Sequence, residues 1–261
     1  MSICIVVVTH KKYKMPDDPM YLPVQSGSAL HPDLGYQRDD DGDNISHKNV
    51  AYNIMCAKYW AWKNLNSDYI GIAHYRRHFS FKKGAQKKFE NILSSSEAEE
   101  IIKDADIILS PKRCYPFFTI KSHYIYTKGN YIETHKRDIQ VLREVIAENH
   151  EEYLCSFDLV MNRGCYHSGS LFIMKKELYG TYCEFIFLIG DEVEKRLEGE
   201  RKDLSRYIAS MTELLIDVWI EKHNYNYKEI GLIDFERPNF FIKFFLLIRR
   251  SVTGYYKGTS S

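Results

Sequence analysis

The sequence predicts an α/β protein: a central, mostly parallel sheet with flanking helices. Three observations carry this. Short β-branched runs stop abruptly at polar residues, amphipathic stretches lie between those runs, and 261 residues with 44% hydrophobic and 27% charged side chains are enough for one full core.

The run from Ile3 to Val8 is continuously apolar, as expected of a strand covered on both faces, and it breaks into Thr9-His10-Lys11. Residues 13–49 are rich in Pro, Gly and Asp without periodicity, which predicts a long irregular segment that is either functional or disordered. A helix is expected over 49–64, with Asn49 or Ser46 able to cap it and Ala51, Ile54, Met55 and Trp62 at three and four spacing. Tyr69 to Ala73 reads as a second core strand, running into His74-Tyr75-Arg76-Arg77-His78. A short helix near 96–103 and a strand over 106–109 follow. The next helix, 130–149, carries Ile132, Ile139, Leu142 and Ile146 on one side. A strand over 168–174 and helices over 175–197 and 205–222 complete the alternation, which places ligands at the carboxyl ends of the strands.

Lys and Arg total 36 against 35 Asp and Glu, a net charge of +1, which argues against a dedicated nucleic-acid binder. The 20 tyrosines suit ring-shaped polar ligands or an interface. Six scattered cysteines without a C-x-x-C pair read as reduced structural thiols of a cytoplasmic protein. The opening residues lack the basic and small-residue marks of a signal peptide.

Three polar clusters stand at predicted strand ends or helix starts. Asp39-Asp40-Asp41-Gly42-Asp43 leads into Asn44-Ile45-Ser46-His47-Lys48-Asn49; it is either a solvated turn or a site for a cation or sugar hydroxyls, and the absence of a Glu at the twelfth position rejects an EF-hand. His74-Tyr75-Arg76-Arg77 offers fork-shaped donors for a phosphate or diphosphate, with surface ion pairing as the plain alternative; in a continuing strand the two arginines would face opposite sides. Asn162-Arg163-Gly164 through His167-Ser168-Gly169-Ser170 permits close backbone approach by a ligand, or is simply a turn into a strand. Neither a Walker loop nor G-x-G-x-x-G is present, which removes the main support for a kinase, GTPase or dehydrogenase.

The series Thr9-His10-Lys11, Met15-Pro16-Asp17-Asp18, Tyr21-Leu22-Pro23-Val24, Asp40 to Asn49, Tyr59-Trp60-Ala61-Trp62-Lys63-Asn64 and Gly71 to Arg77 resembles a bacterial glycosyltransferase family of capsule, exopolysaccharide and O-antigen clusters, formerly known only as a domain of unknown function. The resemblance covers residues 5 to about 235 and implies a GT-A-like nucleotide-sugar fold over 1–237. It implies galactofuranosyl transfer from UDP-galactofuranose to a glycan or undecaprenyl-linked acceptor, with inversion. Thr9, His10, Lys11, Asp40, Asp41, Asn44, Ser46, Asn49, His74, Tyr75, Arg76 and Arg77 are the implied donor-binding residues, and His167, Ser168 and Gly169 lie on the acceptor side. Where most GT-A enzymes carry a metal-holding Asp-x-Asp, this chain has His74-Tyr75-Arg76-Arg77, so cationic side chains and not a divalent metal are expected to neutralise the leaving diphosphate. Asp104 and Asp106 precede a strand and are read as structural. An inverting transfer requires one carboxylate to take the acceptor proton. Glu213 is the first candidate, with a helix partner as its plain reading, and Asp43 and Glu184 are the reserves. A Ser-Gly-Ser segment at 168–170 departs from the family pattern.

Residues 238–261 contain Phe240 to Arg250, too short to span a bilayer. This tail is expected either to lie in the headgroup layer at the inner face of the plasma membrane or to pack on the core or a dimer seam. A homo-oligomer is allowed. A UDP-pyranose-dependent transferase and a non-catalytic carbohydrate-binding protein of polysaccharide assembly are the other readings kept open.

Overall fold

The computed structural model describes residues 1–127, 131–201 and 203–236. The tail expected at 238–261, and with it the boundary at 237, lies outside the described residues. Strand β1 (Ile3–Thr9) forms where predicted. The stretch expected to be irregular holds β2 (Tyr21–Gln25) and β3 (Gln37–Arg38), which extend the sheet from β1. Pro23 within the first and the two-residue length of the second hide the usual pattern. The expected helix over 49–64 is two, α1 (Asn49–Tyr52) and α2 (Ile54–Asn64), separated by Asn53 at φ 45°.

β4 (Tyr69–His74) does not continue through the arginines. The chain reverses at Tyr75-Arg76 into β5 (Arg77–Ser80), with His74 opposite Arg77 in antiparallel register. Helix α3 (Ser95–Ile101) starts in a full capping box of Ser94 and Glu97, and β6 (Ile107–Leu109) follows. Then come β7 (Arg113–Cys114), α4 (Ile120–Thr127), α5 (Ile132–Asn149), α6 (Leu154–Met161) and β8 (Cys165–Tyr166). β9 is shorter than expected, Phe172–Lys175, because residues 169–170 form a bend before it. After α7 (Lys176–Leu197), the helix expected over 205–222 is interrupted into α8 (Tyr207–Thr212) and α9 (Leu215–His223). β10 (Lys228–Glu229) and β11 (Gly231–Asp234) end the described chain.

Among the described residues one sheet runs β10-β6-β9-β4-β1-β2-β3, with β5 and β11 attached beyond β4. β1 is parallel to both β2 and β4, whereas β9 runs antiparallel to β4 and β6. Alternate side chains of β1 serve different cores: Val6 and Val8 pack with α2, α5, α7 and α9, and Ile5 and Val7 pack with α3, Phe79 and Ile233. Covering both faces explains the unbroken apolar run. Among the described residues no helix is long and apolar enough to cross a membrane.

The cysteine reading needs correction. Cys114 and Cys165 form a disulfide across the β7–β8 pair, while Cys4, Cys56, Cys155 and Cys183 are free. The two partners lie 51 residues apart, so only the fold reveals the pairing.

Candidate active site

The parallel register sets Val8 beside Val24 on one side and beside His74 on the other, so the tips of β1 and β4 finish together. Tyr75 N–H donates to the Val8 carbonyl at 3.0 Å and fixes the hairpin turn against β1. Buried Thr9 turns the chain outward through its hydroxyl, which donates to the Lys11 carbonyl at 2.6 Å. His10 is exposed and meets Tyr75 edge-on at 5.3 Å; Lys11 lies 4.8 Å from the centre of the same ring. Buried Tyr75 is the platform of this lip.

Two carboxylates, one at the end of β11 and one just beyond it, hold the cations. Glu236 accepts from Lys11 at 3.1 Å and from Arg76 at 2.8 Å, and Asp234 accepts from Arg77 Nε at 2.9 Å. Both guanidinium groups are half-buried, and Arg77 lines a cavity beside the lip. The Arg76 bond, then Lys11, pulls the Glu236 carboxyl below its ordinary range. Burial, then the neighbouring Arg76 and Arg77, pushes His74 down to about 3, so this imidazole is neutral at physiological pH. Among the described residues, His74 Nδ1 and Arg76 Nε are buried without a hydrogen bond. Burial also lowers His10, with Arg206 the strongest of the cations acting on it.

Across from this lip stands Glu213, at the interruption between α8 and α9. Its Oε1 accepts from Ser168 Oγ at 2.9 Å and from Gly169 N–H at 2.7 Å. Gly169 has φ +95°, and a Cβ there would meet Arg77 Nη1 at 3.2 Å. That bend therefore brings Glu213, Ser168 and Arg77 into one neighbourhood and needs glycine to do so. Lys58 on α2 is buried, its amine pushed down to about 8 by burial against the pull of Cys183 and Glu213. His167 is buried too: its N–H and Nδ1 meet Asp217 at 2.7 and 2.6 Å, and Nε2 lies 3.3 Å from Glu229. It anchors the 165–169 segment to α9 and β10.

The acidic loop is organised inward. Asp39, wholly buried, accepts from Gly27 N–H, Ser28 N–H and Ser46 Oγ. Asp40 pairs with Arg38, Asp41 accepts from Gln37, Asn44 donates to the Asp40 and Gly42 carbonyls, and Asn49 donates to Ser26. Asp43 meets the Tyr59 hydroxyl and Asn64 along α2, and Glu184 is exposed on α7, so the structure brings neither reserve carboxylate together with the lip. Sequence reasoning missed Asp234 and Glu236, which carry no local motif and reach the arginines across about 160 residues of chain.

Among the described residues, cavities lie at both ends of β6. The larger, about 1110 Å³, opens at the amino end of β6 beside Asp104 and Asp106. The other, about 650 Å³, opens at the carboxyl end of β6 and includes Arg77, Ser168 and Asp234. Only the second joins the lip just described. Among the described residues no group of three or more His, Cys, Asp or Glu side chains is placed to hold a metal ion.

This architecture is that of a glycosyltransferase fold. The apo structure of the WbbM bifunctional glycosyltransferase is similar at a TM-score of 0.81 and 25% identity, over 91% of this chain and 46% of that one. The chain thus spans about half the length of that protein. The chain belongs to the family described as a domain of unknown function, DUF4422, which it matches over residues 4–224. Among curated proteins no sequence matches it.

Proposed function

We propose that the chain is an inverting glycosyltransferase of GT-A type that moves a hexose from a UDP-sugar to a growing polysaccharide or lipid-linked acceptor, with galactofuranose as the first donor to test. The observation that carries this reading is the grouping of Lys11, Arg76 and Arg77 at the tips of β1 and β5, with Arg77 lining the cavity that also holds Ser168, whose hydroxyl donates to Glu213. Likeness in fold to a glycosyltransferase supports it.

In this reading UDP lies over Thr9, His10 and the Tyr75 face. Lys11, Arg76 and Arg77 take up the charge that develops on the diphosphate as the bond from the anomeric carbon to the phosphate oxygen breaks. His74, kept neutral, adds no competing charge and can exchange a hydrogen bond. Glu213 takes the proton from the acceptor hydroxyl as that oxygen attacks the opposite face of the sugar, so the configuration inverts. Asp40, Asp41, Asn44, Ser46 and Asn49 act through the shape of the loop they hold. No divalent metal is required in this scheme, and activity should survive EDTA.

The deciding experiment incubates the purified chain with a panel of UDP-sugars, including enzymatically generated UDP-galactofuranose, and measures UDP release with and without lipid-linked acceptors. Release with one donor, stimulated by an acceptor, is the expected result. Binding of glycans without UDP release from any donor would replace the enzyme by a carbohydrate-binding protein.

A further inference from the structure

The chain as a whole is nearly neutral, yet the 650 Å³ cavity beside the lip is lined by Arg77, Lys83, Lys87, Lys112 and Arg113 against the single carboxylate of Asp234. This concentration of cations is a property of the fold, not of composition. Arg77 is held by Asp234, and Lys112 donates to the Tyr227 hydroxyl at 2.7 Å. Lys83 and Arg113 make no ion pair among the described residues. Lys11 and Arg76, the cations assembled on Glu236, are absent from the cavity lining, so its charge is separate from theirs.

The cavity has a direction. At one wall sits Ser168, whose hydroxyl donates to Glu213. At the rim sit Lys83 and Arg113. The Cys114–Cys165 disulfide ties the residue after Arg113 to the segment that leads to Ser168, so the two walls are joined covalently. Gly231 lines the cavity where a Cβ would meet the Lys82 carbonyl oxygen at 2.3 Å, which presses the Lys83 loop against β11.

Resting on the transferase reading above, we infer that this cavity is a subsite for a phosphorylated acceptor, holding its diphosphate at Lys83 and Arg113 while the sugar hydroxyl reaches Ser168 and Glu213. A lone carboxylate, as in a uronic acid, is matched by one guanidinium fork. With Arg77 held by Asp234 and assigned to the donor, Lys83, Lys112 and Arg113 remain in a lining with no other carboxylate, which suits a group with roughly two negative charges or more, such as a phosphate ester. The subsite thus selects the acceptor by its anionic end, independently of the donor diphosphate.

The test titrates the full chain, saturated with UDP, with inorganic diphosphate by calorimetry, for the natural sequence and for the double variant Lys83→Ala/Arg113→Ala. Binding that persists under UDP and weakens by about tenfold or more in the variant is expected, the scale of losing charge-assisted hydrogen bonds. Equal affinity in both proteins, or complete displacement by UDP, overturns the subsite. A kinetic arm compares one sugar carried on a short prenyl diphosphate, on a single phosphate and on a neutral alkyl group. The variant should raise KM for the diphosphate acceptor most, for the phosphate less, and for the neutral one not at all; an equal rise for all three overturns it. UDP release without acceptor should be unchanged in the variant. If UDP fails to bind at all, the transferase reading falls, while the diphosphate titration of the two proteins still decides the cavity.

Discussion

Glu213 sits where a helix is interrupted, and both hydrogen bonds it accepts, from Ser168 and Gly169, fall on Oε1. Neither bond occupies the other oxygen. Glu213→Gln keeps the shape and an acceptor oxygen but loses the base, so transfer should fall by about 10²–10⁴-fold while UDP affinity stays unchanged. Steady-state rates and UDP titration on the same protein check it, and retention of most of the rate would move the base elsewhere. Glu236 poses the opposite case. It occupies Lys11 and Arg76, the groups assigned to the donor phosphates, and is itself only partly buried. Glu236→Gln frees both cations and should tighten UDP binding by roughly threefold, the modest scale of half-exposed ion pairs. Weaker binding would make Glu236 a support for those side chains and not a competitor.

At the scale of elements, the disulfide joining β7 to β8 does more than close a loop. It sits between Arg113 and the segment that carries His167, Ser168 and Gly169 to Glu213. Removing a crosslink across a 51-residue separation costs about 4 kcal/mol in the chain-entropy description. Cys114→Ser/Cys165→Ser should therefore lower the midpoint of thermal unfolding, and it should also raise the acceptor KM more than the donor KM. Equal effects on both would reduce the bond to a general staple. The elements that sequence made legible share a cause. β1, β4 and the long helices α5 and α7 carry uninterrupted apolar runs or stripes, because burial on both faces or on one leaves a periodic mark. β2 and β3 leave none, being short and, in β2, interrupted by Pro23. The reversal at Tyr75-Arg76 uses no Gly or Pro, so the pattern suggested a continuing strand, yet that turn is what sets the two arginines beside Glu236 and Asp234. The breaks at Asn53 and at Glu213-Leu214 leave helical spacing intact on either side and are equally silent. The ionisable cluster after β4 was readable because charge rarely follows a buried strand without a partner. Its partners Asp234 and Glu236 were not, since only the sheet brings them near.

At the scale of the whole molecule, the crevice is assembled by the same β4–β5 reversal that buries two imidazoles within the fold, so its chemistry and the stability of the protein share a pH limit. His78 is fully buried among Tyr21, Phe89 and Phe235, with Nε2–H donating to the Tyr75 carbonyl at 3.1 Å. Burial pushes it down to about 4, and His74 down to about 3, from an ordinary value near 6.5. Between about pH 6.5 and pH 4 the unfolded chain therefore binds protons at these positions that the folded chain refuses. Stability is fully present above that window and is lost as pH falls through it, at about 1.4 kcal/mol for each unit of depression at a well-buried site. The expected measurement is a midpoint of chemical unfolding that declines steadily from pH 6.5 to 4. His78→Gln, which retains a donor for the Tyr75 carbonyl, should flatten that slope even if it lowers stability at neutral pH. Proton resonances of the two rings in the natural protein provide a check that needs no variant: neither should titrate above pH 5, and a titration of His78 near 6.5 would remove it from the acid limit of this fold.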